Sequence, residues 1–326
     1  MLWQTALATF AIALLCLKVL VSGLGRRFVL DQPNERSLHA RPVPRTGGLA
    51  IMAGVTIGWW VGHPGFAVAL TLAAALAALS LLDDVYGLPT ALRLGVHLGA
   101  AAVLVAFELR FPGWALSIVF VLALAWYANL YNFMDGSDGL AGGMALIGFG
   151  AYAVAAQLAG AQPLAEVCAM LAAGAAAFLT RNFPPARIFL GDVGSVPLGF
   201  LAGALGLVGW NDRLWPLWFP LLVFAPFACD ATLTLLRRLA RRERAWQAHR
   251  DHYYQRLVRM GFGHRGTALI EYAAMLGCAI AAVLAREAAL TVQTATLAGA
   301  AAVLGAIAAW VDLRWARYRR ETEGAA

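Results

Sequence analysis

Eleven apolar runs divide the chain, near 2–24, 47–62, 66–82, 94–109, 114–134, 140–160, 164–180, 196–211, 214–236, 267–285 and 290–311. About 20 consecutive apolar residues cross a bilayer core as an α-helix, and fewer suffice where flanking groups reach the interface. The pattern predicts an all-α, polytopic membrane protein with about 11 transmembrane helices, one integral domain over residues 1–326. Two kinds of polar segment alternate between the runs. Those at 63–65, 110–113, 160–163, 211–213 and 286–289 are short. Those at 25–46, 83–93, 135–139, 181–195 and 237–266 hold most of the polar chemistry.

Composition excludes a soluble domain: 61% of the 326 residues are hydrophobic and 13% charged, with a mean hydropathy of +0.69. The first run has neither a basic lead-in nor a small-residue cleavage site, so it reads as a retained span and not a signal peptide. Cys16, Cys168, Cys229 and Cys278 all lie in apolar runs without metal-ligand spacing. They are expected to pack as small apolar residues, with no disulfide framework.

Charge then sets an orientation. Of 25 Lys and Arg, 21 fall in the rich segments and the C-terminal tail, three in the short segments, and Lys18 lies within the first run. Cytoplasmic loops carry the excess of Lys and Arg, so the N-terminus is expected on the periplasmic side and the C-terminus and rich segments in the cytoplasm. The net charge of +7 reads as this orientation signal plus attraction to an anionic lipid bilayer, with no case for nucleic acid.

The rich segments concentrate acids. Ten aspartates occur in the chain, and five sit in three turns on one expected face: "LLDDVYG" (Asp83, Asp84), "NFMDGSDG" (Asp135, Asp138) and "FLGDVGS" (Asp192). Helix caps alone would explain one such turn. Three together repel one another unless a cation is present, and Asp and Asn oxygens suit Mg²⁺, with Mn²⁺ as an alternative, completed by substrate phosphates. Gly136 and Gly139, and Gly191 and Gly194, flank the acids and let backbone N–H groups approach a phosphate.

Two further stretches add positive charge. "RPVPRTGGLAI" brings Arg41 and Arg45 to the entry of the second run. "AWQAHRDHYYQRLVRMGFGHRG" is rich in His, Arg and aromatic residues. His249 and His252 at i, i+3 share a helix face, but no Cys or third His completes a zinc site. The stretch reads as a phosphate- or nucleotide-gripping loop, with Arg250, Arg256 and Arg259 for charge and Tyr253 or Tyr254 for stacking, or as a basic segment on anionic headgroups.

With "DQPNERSLHARPVPRTGGLAI", "LLDDVYGLPTALRLGVHL", "NLYNFMDGSDGLAGG", "FLGDVGSVPLGF" and "HRDHYYQRL" in order, the chain resembles the polyprenyl-phosphate N-acetylhexosamine-1-phosphate transferases. That family includes the phospho-MurNAc-pentapeptide translocases and the enzymes that start O-antigen and enterobacterial common antigen. The resemblance implies transfer of a sugar-1-phosphate from a UDP-N-acetylamino sugar to undecaprenyl phosphate, releasing UMP with Mg²⁺ at the cytoplasmic face of a bacterial inner membrane. It implies Asp192 and Asn132 as metal ligands. Asp83 or Asp84 would be the catalytic base, with Asp83 favoured, and Asn129, Asp135 and Asp138 would shape the pocket. Arg45, Arg93, His249, His252, Tyr254, Gln255 and Arg256 would meet substrate.

Arg93 stands where many relatives carry Lys, and Tyr254 and Gln255 stand where histidines are expected. The latter departure resembles the O-antigen-initiating branch, which implies a 6-deoxy sugar such as N-acetylfucosamine or N-acetylquinovosamine, with N-acetylglucosamine as the alternative. A homodimer is compatible with the sequence. A cation-coupled transporter is the rival from another class. It predicts acids at mid-span, and Asp230 is the one aspartate that lies within a run.

Overall fold

A computed structural model describes residues 2–22, 30–31, 42–62, 64–110, 113–243 and 249–323. Arg41 lies outside the described residues, as does most of the 31–41 stretch. Among the described residues the chain is all-α apart from one two-residue antiparallel pair, β1 (Leu30–Asp31) with β2 (Val43–Pro44), in register Leu30 to Pro44.

Among the described residues every predicted apolar run contains helix. In chain order these are α1 (Leu2–Val21), α2 (Gly47–Gly62), α3 (Ala67–Tyr86), α4 (Thr90–Glu108), α5 (Trp114–Phe133), α6 (Leu140–Leu158), α7 (Gln162–Asn182) and α8 (Asp192–Asn211). Then follow α9 (Trp218–Val223), α10 (Ala225–Ala240), the five-residue α11 (Tyr253–Leu257), α12 (Gly263–Ala285) and α13 (Leu290–Glu323). Among the described residues, nine helices are long and apolar enough to cross a membrane, and α2 is a shorter apolar helix. The ninth predicted span differs, because it breaks at Phe224 into α9 and α10. Pro226 sits in the first turn of α10, where its missing N–H and its ring interrupt a continuous ladder.

The ends of three helices also differ from the predicted turns. α3 continues through Asp83 and Asp84, so that pair sits on a last helical turn and not in a loop. Gly87 stops the helix at φ 67° and returns its N–H to the Asp83 carbonyl, and Pro89 prevents resumption. Asp192 is the first residue of α8, where a helix N-terminus favours a carboxylate. α13 extends twelve residues beyond the predicted end at 311, carrying the basic tail as helix.

α8 is the axis of the bundle. It is buried along nearly its whole length, whereas α13 is hardly buried at all. Small residues permit this packing. Gly48 of α2 lies directly on Gly194 of α8, and Gly199 lies on the backbone of Tyr127 and Ala128 of α5. The strand-like segment before α2 is stitched to the approach of α8. Phe189 N–H donates to the Pro44 carbonyl (2.7 Å), and Gly47 and Gly48 N–H donate to the carbonyls of Phe189 and Leu190 (2.8 and 2.9 Å). The acid-bearing ends of α3, α5 and α8 thus converge at one end of the bundle, beside Arg45.

Candidate active site

The site is built around the N-terminus of α8. Gly191 at φ 72° makes the turn into it, and a Cβ there would strike the Arg45 carbonyl oxygen, so only glycine fits. Asn132, on the last turn of α5, donates through Nδ2 to Asp192 Oδ1 (2.8 Å) and to Oγ of the fully buried Ser195 (2.9 Å). Both amide hydrogens are thereby used, and the amide oxygen remains an acceptor. Asp135, in the turn after α5, accepts the Gly191 N–H. Burial and the neighbouring Asp192 carboxylate push Asp135 well above the usual carboxylate range, which that N–H opposes. Asp31 of β1 adds a smaller push, so β1 too lies beside the site.

The aspartate pair of α3 carries two arginines. Asp83 accepts the Leu88 N–H at Oδ1 (2.7 Å) and Arg93 Nη1 at Oδ2 (2.6 Å). Asp84 Oδ1 pairs with Arg45 Nη2 at 2.8 Å. Asp84 Oδ2 is buried and has no hydrogen-bond partner among the described residues. One acid of the pair is therefore fully engaged, and the other keeps an oxygen without a partner among the described residues. Four residues beyond Arg93 on α4, buried His97 places Nδ1 3.3 Å from Asn129 Nδ2, which also donates to the Ala125 carbonyl (2.7 Å). His97 is not among the candidate residues named from the sequence. The signal was a lone histidine on the helical face of Arg93.

Asp138 is placed differently. Its Oδ2 accepts the Ala186 N–H (2.9 Å) and its Oδ1 lies 3.7 Å from His264 Nδ1, so it ties the "DGSDG" turn to the loop before α8 and to α12. The Gly139 N–H and the Asn182 side chain continue this belt (2.8 Å).

The last predicted loop divides in two. His249 stacks on His252 with centroids 4.9 Å apart, and the His252 ring lies 6.3 Å from that of Phe133, next to Asn132. Loss of water and the nearby His252 and Arg238 push His249 down to about 4, so it is neutral at neutral pH. Tyr254 is 1% exposed, donates to the Phe133 carbonyl (3.1 Å) and packs its hydroxyl on Gly136. Gln255, 8% exposed, accepts the His252 N–H (3.2 Å). Both brace the loop from within. Arg256 points elsewhere: its Nη1 donates to Asp312 of α13 (3.0 Å), together with a two-pronged Arg237 (2.8 Å each). The sequence expects Arg256 at the substrate, and in this structure its guanidinium is held by Asp312. Among the described residues no group of three or more His, Cys, Asp or Glu is gathered as a metal cage.

The model of glycosyl transferase family 4 matches residues 66–209, which contain the α3, α5 and α8 ends of this site. The chain is 31% identical over 264 residues to a probable undecaprenyl-phosphate N-acetylglucosaminyl 1-phosphate transferase of Bacillus subtilis, covering 74% of this chain and 73% of that one. It is 30% identical over 307 residues to the decaprenyl-phosphate N-acetylglucosaminephosphotransferase of Mycobacterium tuberculosis (78% and 74% covered). It is 24% identical over 269 residues to the undecaprenyl-phosphate alpha-N-acetylglucosaminyl 1-phosphate transferase of Escherichia coli (73% and 71% covered). With the acids, glycine turns and arginines at one end of an all-α membrane bundle, these matches make the chain a member of glycosyl transferase family 4, among the polyprenyl-phosphate N-acetylhexosamine-1-phosphate transferases.

Proposed function

We propose that this enzyme transfers an N-acetylhexosamine-1-phosphate from a UDP-sugar to undecaprenyl phosphate, releasing UMP, at the cytoplasmic end of the bundle. The observation that carries the reading is the Asn132–Asp192 pair, held beside Asp135 and facing the arginine-bearing acids of α3. Phosphoryl transfer asks a protein mainly for positioning and charge neutralisation, and this set supplies both.

Magnesium fits the donor set. Asp192 and Asn132 offer two adjacent hard oxygen donors, Asp135 is disfavoured as an anion beside them, and Asp84 keeps an orphaned buried oxygen. Two protein ligands without a full cage suit an ion that takes much of its shell from phosphates and water. When bound at Asp192 and Asn132, Mg²⁺ would neutralise the charge of the donor diphosphate. The free Asp84 Oδ2 makes Asp84 the better-placed group to take the acceptor's proton. Asp83 then serves to hold Arg93. The cytoplasmic assignment is supported by the 21 to three distribution of basic residues.

N-acetylglucosamine is the sugar favoured, because the relatives' names carry it. The case for a 6-deoxy sugar rests on Tyr254 and Gln255, whose side chains are turned inward. Protein purified into lipid nanodiscs, given undecaprenyl phosphate, Mg²⁺ and separately the UDP derivatives of GlcNAc, GalNAc, FucNAc and QuiNAc, tests the reading by UMP release. Fastest release with UDP-GlcNAc is expected. No release with any donor would refute the activity, and release with a 6-deoxy donor alone would refute the sugar.

A further inference from the structure

Asp230 lies within α10, 6% exposed, beside the buried Glu271 of α12 and apolar residues of α12 and α13. A carboxylate there is costly unless its lone pairs are met. They are met by the segment that carries the two stacked histidines. Oδ1 accepts the Tyr253 N–H (3.0 Å), the Thr234 hydroxyl (3.1 Å) and His252 Nδ1 (3.0 Å), and Oδ2 accepts the Tyr254 N–H (3.1 Å). Two consecutive N–H groups at the start of α11 thus bind one carboxylate from a different helix. A five-residue helix cannot fix its own position, so Asp230 sets where α11 begins.

The same carboxylate fixes the His252 ring. Both oxygens already accept backbone N–H groups, so the carboxylate acts as an acceptor and His252 Nδ1 carries the hydrogen. Nε2 is then the nitrogen left for another partner. The ring cannot swing freely, because His249 stacks on it at 4.9 Å, Tyr254 at 5.8 Å, and Phe133 lies at 6.3 Å. A carboxylate behind an imidazole commonly fixes its tautomer and orientation toward a charged ligand.

We propose that Asp230 is a positioning residue for the transfer reaction. From inside the ninth span it holds His252 with Nε2 directed away from α10, where it meets an oxygen of the donor diphosphate. The inference rests on the reading that the His249–His252 segment meets the UDP-sugar. It assigns a function in the reaction to an acid that the sequence offered only to a transporter.

The experiment compares steady-state UMP release, with donor KM and kcat separated, and thermal melting for His252→Ala, His252→Gln, His252→Asn, Asp230→Asn, Thr234→Val and the His252→Ala/Asp230→Asn double variant. Gln keeps a polar group near Nε2 but loses the bond to Asp230, and Asn does the reverse. Donor KM is expected to rise about tenfold in both, the usual scale for losing an orienting partner. Thr234→Val should stay within about twofold of wild type, since the other three bonds to the carboxylate remain. Asp230→Asn should raise KM in the wild-type background yet add less than about twofold to His252→Ala, because the two act as one unit. A wild-type KM in His252→Ala would overturn the reading of the donor site. A raised KM in His252→Ala with a wild-type KM in His252→Gln would overturn this inference alone. So would equal, additive losses from Asp230→Asn in both backgrounds, which would mark a purely structural cap. The His252→Gln arm decides the matter even where Asp230→Asn does not fold.

Discussion

Asn132 and Asp192 stand sixty residues apart in sequence and meet at 2.8 Å, with Ser195 taking the second amide hydrogen. The contact brings a carboxylate and an amide together at the N-terminus of α8. Replacing Asp192 by Asn removes the only full charge of the pair. UMP release is expected to fall by at least about 100-fold, the scale of losing one preorganised electrostatic group. Ser195→Ala frees an amide hydrogen without touching the charge, so a smaller loss of about tenfold is expected, with the Mg²⁺ titration midpoint raised. Wild-type turnover in Asp192→Asn would sink the metal assignment, and an unmoved midpoint in Ser195→Ala would remove Ser195 from it.

The two acids of α3 should separate by their free lone pairs. Asp84→Asn is expected to lower kcat by about 100-fold or more, as for loss of a general base. Arg93→Lys keeps the charge near Asp83 but loses the guanidinium reach to both Asp83 and Thr90, at 2.6 and 3.3 Å. A loss of about tenfold is expected there, the scale of one charge-assisted hydrogen bond. Steady-state kinetics on both variants check this, and an Asp84→Asn enzyme with unchanged kcat would return the base to Asp83.

Much of this was legible along the chain, for identifiable reasons. Hydropathy located the long apolar helices, because a bilayer demands long apolar segments whatever their packing, but not the short α11 in the polar 237–266 segment. It could not see the break at Phe224, since Pro226 leaves the run apolar while interrupting its hydrogen bonds. The glycine turns and the acids Asp84, Asp135 and Asp192 were visible because their chemistry is local. What stayed hidden was pairing. Arg256 reads as substrate-gripping charge until Asp312, 56 residues away, is seen to hold it. Asp230 reads as a stray intramembrane acid until Tyr253 and Tyr254 turn their N–H groups onto it.

His249 gives a pH prediction with a definite sign. Its folded-state value of about 4 lies below the ordinary 6.5, so between those values the unfolded chain binds a proton that the folded chain refuses. Stability is therefore lost as pH falls through that window and is fully present above it. His249→Asn removes this term. Melting temperature measured from pH 7 down to about 4 is expected to fall less steeply in the variant than in wild type, and parallel curves would refute the assignment.

Gly48 and Gly194 bring α2 and α8 into backbone contact, and a methyl group on Gly48 would strike the Gly194 backbone. Backbone cannot yield as a side chain tip can. Gly48→Ala is expected to cost about 1–3 kcal/mol through overpacking and to reduce activity, because α2 follows directly from Arg45. Gly95→Ala and Gly99→Ala on α4 meet nothing within 4 Å and should be neutral or mildly stabilising, as Ala favours helix over Gly. Tryptophan fluorescence melts would show the contrast, and an unaffected Gly48→Ala would contradict the close crossing.

Asp312 tests whether the last helix serves the site or merely flanks it. It gathers Arg237, Arg256 and the Tyr253 hydroxyl (3.3 Å), tying α13 to both ends of the histidine-bearing segment. Arg256 and Arg259 also lie over the Trp315 ring, at 6.0 and 4.7 Å. Asp312→Asn leaves two guanidiniums without their shared carboxylate, one of them buried at Arg256. A loss of about 1–3 kcal/mol follows from the unmet donors. Because Asp312 touches the loop and not the Asn132–Asp192 pair, donor KM should rise while the Mg²⁺ midpoint stays at its wild-type value. A shifted midpoint would mean that α13 reaches the N-terminus of α8. An unchanged KM would mean that the histidine segment is held by Asp230 alone.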